Sequence, residues 1–147
     1  MSRPSGFSLV ELVVTLIIAG ILAALAIPRF TDTESKATWF HEQVKAAVRY
    51  AQRQAVAQHR SIYVLVQSTT VDLCYDATCS TSAMRLAQPG TNTSYTLNAP
   101  SGATISATTT PFSFDALGRP SPITGVTLTV AGRSISVTAE TGYVYVP

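Results

Sequence analysis

Charge is scarce in this chain. Asp, Glu, Lys and Arg make up 12% of its 147 residues, against about 25% in an ordinary soluble domain. The formal net charge is only +2, too small by itself to imply a nucleic-acid partner. Cysteine is limited to two residues, both in the stretch Cys74-Tyr-Asp-Ala-Thr-Cys79. Such a pair closes a small disulfide loop if the domain is exported to an oxidising space, and otherwise stays as two reduced, partly buried thiols. A structural zinc site would need two further ligands, and His41 and His59 are not spaced as in a known zinc motif. They read as surface or helix-packing residues.

Catalytic motifs are missing as well. His41-Glu42 opens like a zinc-protease helix, but Lys45 stands where the second histidine belongs. There is no G-x-S-x-G, no P-loop and no dinucleotide fingerprint. Asp72, Asp76 and Asp115 are not set in a calcium-loop pattern. The expectation is a protein that is not an enzyme and uses no cofactor or metal.

Part of the charge shortage lies at the N-terminus, where Phe7 to Ile27 is almost continuously apolar. As a helix this run would extend about 31 Å, close to the hydrocarbon thickness of a bilayer. A secretory signal peptide is the rival reading, since Ala24-Leu25-Ala26 resembles a cleavage site. Its apolar core is usually only about 7–15 residues, however. Glu11 fits neither a plain anchor nor a signal peptide. On insertion scales a carboxylate at the membrane centre costs about 2.5–3.5 kcal/mol. No Lys or Arg lies inside the run to pair with it; the nearest cations are Arg3 and Arg29. A partner must come from another chain or from a new amino terminus.

Gly6-Phe7-Ser8-Leu9-Val10-Glu11-Leu12 resembles the class III signal of type IV prepilins and pseudopilins. The resemblance implies that a membrane aspartyl peptidase, the prepilin peptidase, cuts after Gly6 and methylates the new amino terminus at Phe7. Glu11 would then face the amine of a neighbouring subunit in a filament. A buried ion pair of this kind sets register more than it adds net stability. The implied partners are other major and minor pilin subunits, the peptidase and the inner-membrane assembly platform.

Pro28 and Gly20 are two points where the long helix of that family could kink, end or locally melt. Thr31 or Asp32 could cap a new helix after Pro28. From about Thr33 to Arg60 the pattern is helical, with Phe40, Val44, Ala47, Val48, Ala51 and Ala55 on one apolar face. Lys45, Arg49 and Arg53 recur every fourth residue and form a basic stripe. It is either a solvated helix face or a contact for an acidic subunit or DNA.

After Arg60 the period changes to two. Strands are expected at Ser61–Val66 and Thr70–Tyr75, around Leu97, Ile105 and Phe112, at Val126–Val130 and Ser134–Thr138, and at Tyr143–Val146. Ala131-Gly132-Arg133 reads as a short turn, Gly118-Arg119-Pro120 as a break, and Asp76–Ser94 as loops. A helix followed by strands predicts an α+β fold with a long N-terminal helix packed on an antiparallel β-sheet domain.

The segments Tyr50-Ala51-Gln52-Arg53-Gln54-Ala55, Phe114-Asp115-Ala116-Leu117-Gly118-Arg119-Pro120 and Glu140-Thr141-Gly142-Tyr143-Val144 resemble minor pilins of the GspH/FimT type. Pro28-Arg29-Phe30 and the Cys74–Cys79 segment resemble, more narrowly, minor pilins of mannose-sensitive haemagglutinin (MSHA) pili. DNA-binding members carry an arginine-rich tail after the glycine. Here Gly142 is followed by Tyr143-Val144-Tyr145-Val146-Pro147, without charge. That argues against DNA capture and suggests an edge strand.

The organisation expected is a cleaved leader 1–6, a transmembrane and filament-core helix 7–27, an amphipathic helix 28–60 and a periplasmic β-rich domain 61–147. The protein would sit in the bacterial inner membrane as a single-pass subunit, then enter a pilus or pseudopilus. The leading reading is a minor type IV pilin. Its rivals are a minor pseudopilin of a type II secretion system, a DNA-binding minor pilin, and an ordinary single-pass anchored domain.

Overall fold

The computed structural model describes residues 8–26 and 33–147, with side-chain surroundings for 8–22 and 34–147. The chain divides into two units, residues 1–35 and 36–147. In the first, α1 spans Leu9–Ala26 and runs through Gly20. The Thr15 hydroxyl donates back to the Leu12 carbonyl at 2.8 Å, a local bond that spares a polar side chain on an apolar helix. No helix among the described residues is long and apolar enough to cross a membrane. The expected anchor reaches to Phe7 and Ile27, both outside the described residues, as are Pro28, Thr31 and Asp32.

α2, Thr33–Gln58, leads the second unit. Phe40, Val44, Ala47, Val48, Ala51 and Ala55 are all buried, so the period of three and four found in the sequence is the core face. Small alanines on that face let the backbone lie close to what it covers. The helix stops at His59, which takes a left-handed conformation (φ 49°), while the Arg60 N–H reaches back to the Ala55 carbonyl at 3.2 Å. A left-handed residue after the last turn is a common way to satisfy end carbonyls.

Nine strands follow: β1 Ile62–Val66, β2 Thr70–Cys74, β3 Thr96–Asn98, β4 Ile105–Ala107, β5 Phe112–Phe114, β6 Pro120–Ser121, β7 Val126–Val130, β8 Arg133–Val137 and β9 Val144–Tyr145. They form two antiparallel sheets, within the antiparallel β-sheet domain that the sequence suggested. The five-stranded sheet has the order β3-β2-β1-β5-β6 and the four-stranded sheet β4-β7-β8-β9. One apolar core joins α2 to both sheets, drawing Val64, Leu73 and Phe114 from the first and Leu128, Ile135 and Val144 from the second. Each strand is short, and a strand pattern of period two marks which face is buried but not which neighbour it pairs with.

Three local expectations need correction. Arg133 is not part of the turn: it opens β8 opposite Val130. Ala131 and Gly132, both with positive φ, complete a two-residue hairpin loop by themselves. Pro120 does not break the sheet but starts β6, pairing with Phe114. A proline is tolerated there because β6 is an edge strand and needs no outward ladder donor. The 76–94 region is not all loop. It contains a 3-10 helix at Ser82–Met84 and bridges Cys74 to Arg85 and Ala87 to Ser94.

Candidate assembly site and helix clamp

In the first unit the described side chains from Ser8 to Leu22 are all exposed, and the large apolar ones are 44–78% exposed. An apolar helix with no covered face requires another apolar phase, either lipid or the helices of other subunits. Glu11 lies in its first turn. There the positive end of the helix dipole stabilises a carboxylate by about 0.3–1 kcal/mol, which offsets only part of a membrane insertion penalty. Gly6 and Phe7, the expected processing residues, lie outside the described residues.

In the second unit a disulfide joins Cys74 to Cys79. Cys74 and Asp72 share one face of β2 while Val71 and Leu73 point to the other, and all four are buried. Alternation predicts Asp72 in solvent. Instead the segment after β2 folds back over that face, tied down by the disulfide and by Arg85. The Asp72 carboxylate accepts the Thr96 hydroxyl at 2.6 Å and faces the Arg85 guanidinium at 3.3 Å. Arg85 also donates to the Thr96 hydroxyl at 3.0 Å. Inside the disulfide loop the Asp76 carboxylate accepts from the Thr78 hydroxyl at 2.6 Å and the Cys79 N–H at 3.1 Å. The Thr78 bond is the main reason its carboxyl is held below the usual range. Nearby, Tyr50 stacks on Tyr95 with ring centres 5.3 Å apart. Burial, and then the neighbouring Tyr50, push the Tyr95 hydroxyl up.

The basic stripe on α2 is not a free row of cations. Lys45 pairs with Glu42 at 2.5 Å. Arg49 donates to the Val144 carbonyl on β9 at 2.8 Å, occupying a backbone acceptor of an edge strand. Arg53 is exposed. His41 is buried, with Nε2 3.5 Å from the Ser134 carbonyl, which makes it a packing residue and not a surface one.

Gln52 has a role that no sequence pattern announced. Its side-chain amide donates to the carbonyls of Gly118, at 2.9 Å, and Thr141, at 3.1 Å. The first belongs to the β5–β6 loop of one sheet and the second to the β8–β9 turn of the other. Both loops are built for the approach. Asp115 accepts from the N–H groups of Leu117 and Arg119 and from the Arg119 guanidinium, at 2.8–3.0 Å. Burial pushes its carboxyl up, but these bonds outweigh that and hold it below the usual range. Gly142 has φ +66°, and a Cβ there would collide with the Gly118 carbonyl and sit 2.7 Å from the Gln52 amide nitrogen. One helix side chain thus pins both sheets. The three segments that resembled minor pilins meet at this point.

A cavity of about 470 Å³ is lined by Thr108, Thr127, Ser136 and Tyr145 among others and contains no carboxylate, histidine or cysteine. Among the described residues no cluster of His, Cys, Asp or Glu is placed to hold a metal ion.

Residues 1–27 match the family model of the prokaryotic N-terminal methylation motif. Residues 42–142 match that of the type II transport protein GspH. The chain belongs to the GspH family, the minor pilins and pseudopilins of type IV filaments. It is 41% identical over 61 residues to the type IV narrow pilus major component PilA5 of Thermus thermophilus, over 41% of this chain and 53% of that protein. The chain therefore spans about half the length of that curated relative. Its fold is similar to the type IV minor pilin FimU of Pseudomonas aeruginosa, with a TM-score of 0.56, 20% identity, and coverage of 78% of this chain and 91% of that one. It is also similar to the minor pseudopilin EpsH of the Vibrio cholerae type 2 secretion system, with a TM-score of 0.60, 8% identity, and coverage of 78% and 95%. These likenesses establish the α+β pilin fold.

Proposed function

We propose that the protein is a minor subunit of an MSHA-like type IV pilus. It is cut after Gly6, methylated at Phe7 and held in the inner membrane by Phe7–Ile27, with 61–147 in the periplasm, until it is drawn into the fibre. Its work is packing rather than catalysis. The observation that carries this reading is Glu11, a lone carboxylate on a helix otherwise apolar and exposed. The amine at Phe7 of an adjacent subunit supplies the charge it lacks, where low dielectric makes pairing matter most. Pro28-Arg29-Phe30 and the Cys74–Cys79 segment favour the MSHA-like filament. The GspH match favours the second reading, a minor pseudopilin of type II secretion, and the partners that co-purify with the native fibre decide between them. DNA capture is disfavoured because Lys45 and Arg49 are engaged within the fold.

The test is Glu11→Ala in the native host. N-terminal sequencing of the wild type is expected to start at Phe7. The variant is expected to be processed normally but recovered with sheared filaments at least tenfold less. A mature chain still starting at Met1, or starting beyond Ala26, would overturn the reading. So would undiminished incorporation of the variant.

A further inference from the structure

The outer face of the four-stranded sheet carries a row of neutral polar groups. Along β7 and β8 the valine, leucine and isoleucine side chains turn to the core, so Thr127 and Ser136 turn away from it. On β9 Val144 turns in and Tyr145 turns out. Register sets these three outward residues side by side, with Thr127 opposite Ser136 and Ser136 opposite Tyr145. All three line the cavity of about 470 Å³ described above. Small-ligand sites usually enclose about 300–1,000 Å³.

Both ends of the row are fixed. Thr108 donates its N–H to the Thr127 carbonyl at 2.9 Å, and its hydroxyl accepts the Thr127 N–H at 3.1 Å. At the other end Tyr145 stacks on Tyr143, with ring centres 6.1 Å apart and planes 11° from parallel. Gly125, also in the lining, has φ +74°, and a Cβ there would stand 3.0 Å from the Val137 carbonyl. The hydroxyl of Thr108 is thus engaged. Among the described residues those of Thr127, Ser136 and Tyr145 make no hydrogen bond within the chain.

The lining chemistry narrows the ligand. No charged side chain faces the cavity, so nothing there would compensate an ion for losing its water. A purely apolar ligand would leave the covered hydroxyls without partners. A peptide strand would add at the β9 edge, where Arg49 already takes the Val144 carbonyl. A sugar ring meets each condition. It is neutral, it brings its own donors and acceptors, and its slightly positive C–H groups suit the slightly negative face of an aromatic ring. We propose that this cavity binds a neutral saccharide, with Tyr145 as the aromatic platform and Thr127 and Ser136 as hydrogen-bond partners of the sugar hydroxyls. This goes beyond the packing role above and holds whichever filament the subunit joins.

The experiment applies the full chain, in a detergent without a sugar headgroup, to an array of immobilised neutral hexose, N-acetylhexosamine and sialylated oligosaccharides. Neutral glycans should be retained, and sialylated ones no better. The best-retained neutral glycan is then titrated in solution by saturation-transfer NMR, with an expected Kd of about 1 mM or tighter. Binding should persist in about 0.5 M salt, because no charge takes part. Tyr145→Ala should weaken it about tenfold. Thr127→Val keeps the side-chain shape and removes one hydroxyl, so it should weaken binding about fivefold with the melting temperature unchanged. That variant decides the matter if Tyr145→Ala does not fold. Retention of no neutral glycan, retention confined to sialylated glycans and lost in salt, or undiminished binding by Thr127→Val would overturn the inference. None of these outcomes touches the filament reading, which stands or falls on Glu11→Ala and the mature N-terminus.

Discussion

Replacing Gly142 with alanine should loosen the whole second unit. Two costs add. A non-glycine residue in the left-handed region costs about 1–2 kcal/mol, and Gly142 sits at φ +66°. The new methyl also cannot coexist with the Gly118 carbonyl and the Gln52 amide, 2.7 Å away. The loops must part, and both Gln52 hydrogen bonds go with them, at about 1 kcal/mol each. The sum is about 3–4 kcal/mol, a large share of a domain stability of about 5–15 kcal/mol. At about 4 °C per kcal/mol for a unit of this size, the melting temperature should fall by about 12–16 °C. Gln52→Ala loses only the hydrogen bonds and should cost about half as much. Thermal unfolding of the full chain in detergent, followed by near-ultraviolet circular dichroism, measures both. In the double variant the two effects should fall short of additive, because each removes the same bonds. A drop of less than about 3 °C for Gly142→Ala would refute the idea that this close approach holds the sheets to α2.

Replacing Cys74 and Cys79 together by serine should destabilise the unit by about 2 kcal/mol, the loop-closure entropy of so short a ring; unfolding in urea with and without the pair measures it. The carboxyls of Asp76 and Asp115 titrate below the usual 3.8 in the folded state. Their contribution is therefore present above about pH 4 and is lost as pH falls through the lowered folded values. Asp76→Asn should accordingly lower the melting temperature at pH 7 and converge on the wild type once the pH lies below the lowered folded value, and a constant offset across pH would contradict this.

Several features were legible in the chain before any folding was considered. The apolar run with a single acid, the cysteine pair, the buried stripe of α2 and most strand positions follow from local composition and periodicity. These signals reside within a few residues of each other and so survive in one dimension. The fate of Asp72 does not. Its place in Thr70–Cys74 calls for solvent, and only the return of the disulfide-tied segment encloses it with Arg85 and Thr96. The same holds for the basic stripe, which looked like one surface until Arg49 met Val144 and Lys45 met Glu42.

By itself, then, the sequence determined what each segment is: which helix must find another apolar phase, which face of the next is buried, and where strands run. Only the tertiary structure decided which strands pair, that there are two sheets and not one, and that Gln52 joins them. The physical reason is range. Amphipathic period and turn chemistry act over a few residues, whereas a carbonyl at Gly118 and another at Thr141 become acceptors for one amide only after loop closure has brought them to it.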